Sequence, residues 1–252
     1  MKLNYSSIQI NSIWQVLLTV AASIITLRIG AGLAAWRAAN QLERPNYTVV
    51  RRLPINPRQR RGEIEIRKYE PYLIAETTID ESSMRKAGSL GFGKCAGYIF
   101  GKNTPVGKSE QPEKMAMTAP VRSVGEVSSG EKMAMTSPVR SQGNKKGKTK
   151  ISFVIGSKYT LQNVPKPTDK SVRVKRVDGH YLAASTFSGP PPSDERVREE
   201  RSKLVQTCER EGIRIKGGKN ETFVYGYHDP VVTPNILRRN EVCVEVDGSS
   251  LN

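Results

Sequence analysis

Histidine is nearly absent: His180 and His228 are the only two in 252 residues. Two imidazoles leave little for general acid–base work, and no Ser-His-Asp set, metal cluster or cofactor fingerprint can be assembled around them. Cysteine is also scarce. Cys95, Cys208 and Cys243 are odd in number and widely spaced, so neither a disulfide framework nor a zinc-ligand spacing can be built, and a reducing compartment suits them. Aromatic residues make up only 6% of the chain. Acidic residues are in deficit, 24 against 40 Lys and Arg, for a net charge of +16. That excess suits an anionic surface, an anionic ligand or a nucleic acid. Nucleic acid is not expected, because the basic residues are spread over linker, loops and helices with no aromatic platform for stacking bases. These deficits make a poor case for an enzyme.

What the chain does have begins with an apolar run. Residues 13–36 are 24 positions bracketed by both tryptophans, Trp14 and Trp36; as a helix they reach about 36 Å, enough to cross a bilayer. Arg28 interrupts the run, at about 2.5–3.5 kcal/mol on insertion scales, although a long stem can snorkel. Lys2 is the only charge before the span, whereas Arg37, Arg44, Arg51 and Arg52 follow it. The positive-inside bias therefore keeps the C-terminal portion on the cytoplasmic or stromal side. A second reading is a removable organelle leader, a chloroplast being the organelle in view, since residues 1–42 contain no Asp or Glu and several serines. Residues 1–12 are read as a tail and 37–62 as a basic linker, punctuated by Pro45, Pro54 and Pro57. It either lies against anionic headgroups or is a plain solvated tether.

The chain also repeats itself. Glu-Lys-Met-Ala-Met-Thr-Ala-Pro-Val-Arg-Ser at 113–123 returns at 131–141 with Ala119 replaced by Ser137. Extended, each copy puts its two methionines (Met115 and Met117, Met133 and Met135) on one face. With the Gly- and Ser-rich residues 124–130 as a loop, the two copies read as a ribbon carrying four thioethers. The plainer alternative is that the methionines fill gaps in a core.

Residues 63–247 read as a single domain, followed by a tail at 248–252. Alternation at 63–67 and 72–78 gives two short strands or one bent at Pro71; Asp80–Ser83 supply helix caps, and 84–100 is a helix. Its five glycines, Gly88, Gly91, Gly93, Gly97 and Gly101, each weaken it by roughly 1 kcal/mol relative to Ala. Such a helix needs tertiary packing or lets something approach its backbone. Residues 172–177 and 181–187 flank Asp178-Gly179, a hairpin signal. A second helix runs from Asp194 to Glu211, capped by Ser193 and stopped by Gly212, with strands following at 223–227 and 241–246. The fold class is α+β: two similar halves, each with one helix and several antiparallel strands. Gly88–Cys95 nearly matches a phosphate-binding loop, but Cys95 replaces the hydroxyl that would ligate Mg²⁺ and no buried strand precedes it.

Several segments together resemble the SOUL heme-binding protein family. They are Tyr69-Glu-Pro-Tyr72, Phe100-Gly-Lys-Asn103, the doubled Met-Thr-Ala/Ser-Pro-Val, Ser157-Lys-Tyr159, Pro165-Lys-Pro-Thr-Asp169, Phe187-Ser-Gly189, Asp229-Pro230 and Arg238-Arg-Asn-Glu-Val242. The doubled methionine motif is similar to the plant, algal and cyanobacterial branch. The resemblance implies a pseudo-symmetric antiparallel barrel or curved sheet with two packed helices, and non-catalytic binding of heme or another tetrapyrrole in a shallow apolar pocket. By position, Gly88, Phe92, Cys95, Ala96 and Ile99 on the first helix would line that pocket, with Val231, Val232 and His228 from the loop before the last strand. Where animal members carry basic side chains for the propionates, Ser89, Gly97 and Thr233 stand here, and Lys94 is the nearest substitute. Cys95 and His228 are the candidate axial ligands, although a buried Cys is more simply structural; His180 is expected to be exposed in its turn. Arg238, Arg239 and Glu241 either recognise an anion or tie the loop to the sheet. The resulting expectation is a membrane-tethered tetrapyrrole binder or carrier. Its rival is a non-heme module that organises membrane or lipid-particle surfaces.

Overall fold

The computed structural model describes residues 5–56, 59–107, 111–126, 147–216 and 221–251. In chain order these form α1 (Tyr5–Asn40), β1 (Tyr47–Asn56), β2 (Gln59–Tyr69), β3 (Tyr72–Ile79), α2 (Met84–Ile99), β4 (Asn103–Thr104) and β5 (Val121–Glu126). Then come β6 (Thr149–Ile155), β7 (Lys166–Pro167), β8 (Val172–Val177), β9 (His180–Phe187), α3 (Asp194–Arg210), β10 (Glu221–Gly226) and β11 (Asn240–Val246). Nine strands make one antiparallel sheet in the order β1-β2-β9-β11-β10-β5-β6-β3-β8, and β4 pairs with β7 separately. The class is α+β, as expected. The implied barrel is not closed: β1 and β8 end the sheet and do not pair with each other.

The two halves are legible in the topology. The run β3-α2-β5-β6 recurs as β9-α3-β10-β11, and the halves meet where β5 pairs with β10. Helices α2 and α3 each start on a serine cap. Ser83 Oγ accepts from Lys86 N at 3.4 Å and Ser193 Oγ from Arg196 N at 3.2 Å. α3 adds Asp194 and Glu195 in its first turn and Arg210 in its last, matching the helix dipole. It packs Val197, Leu204 and Cys208 against β9 and β11.

Four expectations are corrected. The basic linker contains β1 and the start of β2. Tyr47, Val49, Leu53 and Ile55 turn inward, but a register shift between Val49 and Arg51 breaks their alternation and hides the strand in the sequence. Two of its arginines are engaged by the protein, Arg51 with Glu211 at 2.9 Å and Arg52 with Glu65 at 3.3 Å. The methionine ribbon does not form from the first copy. β5 is paired on both sides, by β6 and β10, so residues 124–126 continue a strand instead of turning. Met115 is buried beneath the end of α2 and Met117 half-buried beside it; the second copy lies outside the described residues. The Asp178-Gly179 turn does not make a hairpin either. β8 pairs with β3 at the sheet edge, while β9 is buried between β2 and β11, so the turn crosses between halves. At the ends, residues 5–12 belong to α1, and 248–250 form a 3-10 turn tied by Arg214 to Asp247 at 2.8 Å.

α2 lies unusually close to the sheet. Met84, Ala87, Gly91, Cys95, Tyr98 and Ile99 face it, and a Cβ on Gly91 would stand 2.6 Å from Ile151 Cγ1. Gly91→Ala should therefore lower the thermal midpoint: overpacking costs on the order of 1–3 kcal/mol, against a helix-propensity gain of about 1 kcal/mol. On Gly93 an added Cβ meets nothing within 4 Å, so Gly93→Ala should raise it. Scanning calorimetry on both variants checks the pair, and shifts of the same sign would contradict the close packing.

Candidate functional site

Successive helical residues turn by about 100°, so the outward ridge of α2 is Ser89, Gly93 and Gly97, each four residues on from the last. With no side chain on two of these three, the ridge is a shallow trough, bare at Gly93 and floored at Gly97 by the Lys102 side chain. Apolar side chains stand around it. Phe92 on one rim is 42% exposed, Leu90 rises on the other, and Phe100 closes the C-terminal end. The Phe92 ring is held edge-on by buried Phe153 of β6, with centroids 5.1 Å apart. Cations surround the apolar surface. Arg85 and Lys86 are exposed in the first turn of α2, Lys94 donates to Ser171 Oγ at 3.2 Å, and the Lys102 side chain lies beside Gly97.

The rest of α2's C-terminal end is braced by the segments quoted above. Asn103 Nδ2 donates to the carbonyls of Tyr98 and Glu113, both at 2.8 Å. Met115 N donates to Ile99 O at 2.9 Å, and Tyr98 OH to Pro165 O at 2.7 Å. Residues that read as a signature thus support the helix that carries the trough.

Of the expected pocket residues, only Phe92 and Lys94 reach the outer surface of α2, and they stand on opposite rims. Gly88 is half-buried, with Ser123 Oγ 3.8 Å from where its Cβ would be. Cys95, Ala96 and Ile99 are buried against the sheet. The sequence pattern picked the packing stripe, whose periodicity is strongest because it meets the core. Leu90, Gly93 and Phe100 were missed; their signal was apolar or absent side chains off that stripe. Val231 and Val232 are exposed on the 228–239 loop, which is tied to α1 and to Gly189 rather than to α2.

Neither candidate axial ligand is available in this arrangement. Burial pushes the Cys95 thiol up to about 12, and its Sγ is directed at the carbonyls of Ala75 and Ile151, at 3.5 and 3.6 Å. His228 Nδ1 accepts from Arg239 N at 3.0 Å. The neutral ring therefore carries its proton on Nε2, which leaves no lone pair there for a metal. Burial, then the charges of Arg44, Arg239 and Arg238, lower its pKa. His180 was expected in solvent but is half-buried, stacked on Tyr69 at 5.3 Å with Nδ1 donating to Asp178 O.

A small, partly open cleft lies between the halves, lined by Tyr47, Tyr69, Tyr72, Tyr225, Arg122 and Arg239 among others. Its free volume of ≈ 10 Å³ is about that of one water, so a porphyrin does not fit there. Beside it, Glu241 is fully buried and accepts from Arg67 Nη1 and Nη2 at 2.9 and 3.0 Å, Tyr227 OH at 2.7 Å and Arg239 Nε at 2.9 Å. Burial alone would raise the Glu241 carboxyl; the bonds and charge of Arg67, joined by Arg239, hold it below the ordinary range. All the acceptor positions of Glu241 face protein, so this cluster ties the loop to the sheet instead of receiving an anion.

A search of curated protein sequences finds no match. The family model described as SOUL heme-binding protein matches residues 42–245. Among solved structures, the EcmrR–DNA complex in EcmrR-RPo is 9% identical, with a TM-score of 0.50, over 93% of this chain and 71% of that one. The EcmrR C-terminal domain is 10% identical over 74% of this chain and 98% of that one, at 0.49. A hydrolase from Listeria innocua is 11% identical over 73% and 91%, at 0.44. At such identity the first likeness speaks to the fold alone, and the other two carry no argument about activity.

Glu241→Gln should destabilise the protein by about 3 kcal/mol at pH 7, the lower end of the range for breaking a buried pair, because Arg67 then keeps only the partly exposed Glu65 carboxylate at 2.8 Å as counter-charge. The folded carboxyl has the lower pKa, so its contribution is present above about 4.3 and is lost as pH falls through the folded value. Guanidinium denaturation of both proteins at several pH values checks this. The difference should be full at neutral pH and close in acid.

Proposed function

The chain belongs to the SOUL heme-binding protein family, and on that premise we propose a membrane-tethered, non-catalytic binder or carrier of heme or a related tetrapyrrole, held on the outer face of α2. The observation that carries this reading is the glycine trough rimmed by Leu90, Phe92 and Phe100 on an otherwise charged surface. An exposed apolar rim of this kind is uncommon unless something covers it. A flat macrocycle matches it: one face rests on the bare helix backbone at Gly93 and on the Lys102 stem that covers Gly97, and Phe92 and Leu90 cover its edges. Arg85, Lys86, Lys94 and Lys102 are the cations for the propionates. Arg85 and Phe92 share a stripe about 10 Å long, on the scale of a porphyrin with an extended propionate. Bound heme would supply its own redox and light-absorbing chemistry; the protein supplies an apolar seat and charge pairing. No axial ligand is assigned, so affinity rests on apolar contact and iron-free porphyrin should bind comparably.

The tether is α1, whose most apolar 18-residue window, within Trp14–Asn40, has a mean hydropathy of 1.9 with only 6% of it buried. A helix this apolar and this uncovered suits lipid. The soluble domain then faces the cytoplasmic or stromal side. A module organising membrane or lipid-particle surfaces without heme is the second reading, and it draws on the same helix.

Titration of hemin and protoporphyrin into the full chain in nanodiscs tests the proposal. The Soret band should shift for both ligands. Phe92→Ala should weaken binding roughly tenfold, about 1.4 kcal/mol of lost apolar burial, and Gly93→Leu should obstruct the trough. Leu161→Ala, at an exposed apolar residue outside α2, should leave binding unchanged. No spectral change at micromolar ligand would sink the proposal.

A further inference from the structure

Among the described residues after α1, the 228–239 loop carries the most exposed apolar tip. Val231 is 82% exposed and Ile236 81%, with Val232 beside them. They are held out by a loop that is itself well braced. Asp229 Oδ1 accepts from the backbone N of Val231 and Val232 at 2.7 and 2.9 Å, and Arg238 Nε donates to Thr233 O at 2.7 Å. Asn235 O accepts from Gly189 N at 2.9 Å. Apolar side chains fixed outward on a rigid loop find no burial within the protein.

What lies next to this tip is α1. A Cβ on Gly32 would stand 2.7 Å from Pro234 Cδ and 3.1 Å from Val232 O, so the glycine lets the loop touch the helix backbone. Gly32 is four residues before Trp36, about 6 Å deeper along the helix axis than that interfacial tryptophan. The exit of α1 is also docked. Glu43 Oε1 accepts from Ser157 N at 2.6 Å, Glu43 O from Ala119 N at 3.0 Å, and Arg44 lies over the Tyr227 ring at 5.1 Å. The loop therefore cannot drift away from the helix on a floppy tether.

We infer that Val231, Val232 and Ile236 insert into the interfacial layer of the bilayer that α1 crosses, forming a second membrane contact beside the helix. The inference rests on the membrane reading of α1 and goes beyond it, because a spanning helix alone does not require the loop to meet lipid. The chemistry is that of an interfacial anchor: apolar tips enter the acyl boundary while Arg37, Arg44 and Arg238 remain at headgroup level. Two contacts of this kind hold the domain in one orientation on the membrane.

The three native cysteines are buried, so one added cysteine is selectively labelled. Full-length Val231→Cys, Ile25→Cys and Leu161→Cys proteins, carrying an environment-sensitive fluorophore, would be reconstituted with lipids doxylated at shallow or deep positions. Ile25, exposed on α1 and midway between Trp14 and Trp36, should be quenched by deep doxyl lipid and Leu161 by neither. Val231 should show a blue shift and quenching by the shallow lipid. If Ile25 is quenched and Val231 behaves like Leu161, the loop inference is overturned while the tether stands. If Ile25 is not quenched, both readings fall.

Discussion

The Arg67–Glu241 pair is the constraint on which the rest of the structure hangs. Arg67 leaves β2, passes the intervening β9 and grips both oxygens of a carboxylate on β11. Two charges fully out of water are costly to bring together and costlier to separate, so one arrangement of these three strands is strongly favoured. Arg239 adds a second cation to Glu241 and lies over Tyr227 at 4.8 Å. Arg44, just beyond α1, lies over the same ring. Sheet register, the base of the 228–239 loop and the exit of the apolar helix thus share one anchor.

How much of this was written in the sequence depends on which force shaped each segment. The apolar run and both domain helices were legible, because caps, periodicity and a stop signal agree. α2 was expected over 84–100 and spans Met84–Ile99; α3 was expected to Glu211 and ends at Arg210. β1 was not legible, because a bulge and the run Arg51, Arg52 and Pro54 mask its inward residues. The Asp178-Gly179 turn misled for another reason. A local hairpin signal competes with burial, and β9, whose centre is fully buried, was drawn away from the exposed edge strand β8.

The candidate site was half legible. The resemblance placed the pocket on α2 with Phe92, Cys95, Ala96 and Ile99; Phe92 stands on the outer surface of that helix, whereas Cys95, Ala96 and Ile99 face the sheet. An amphipathic stripe reports the core by default. The departures from that stripe, Leu90 and Phe100 outside it and glycine where a polar side chain would serve solubility, were the informative residues. The glycines also divide by role: Gly91 allows α2 to settle on Ile151, and Gly93 leaves the opposite side of the helix bare.

One helix thus has a face for the core and, in the function proposed, a face for a flat apolar ligand whose chemical class the family supplies. The most direct test is a hydrogen-exchange footprint of the full chain in nanodiscs with and without protoporphyrin. The account predicts added protection along α2 and none at 228–239. Protection on that loop with α2 unchanged, or no protection anywhere at saturating ligand, would contradict it.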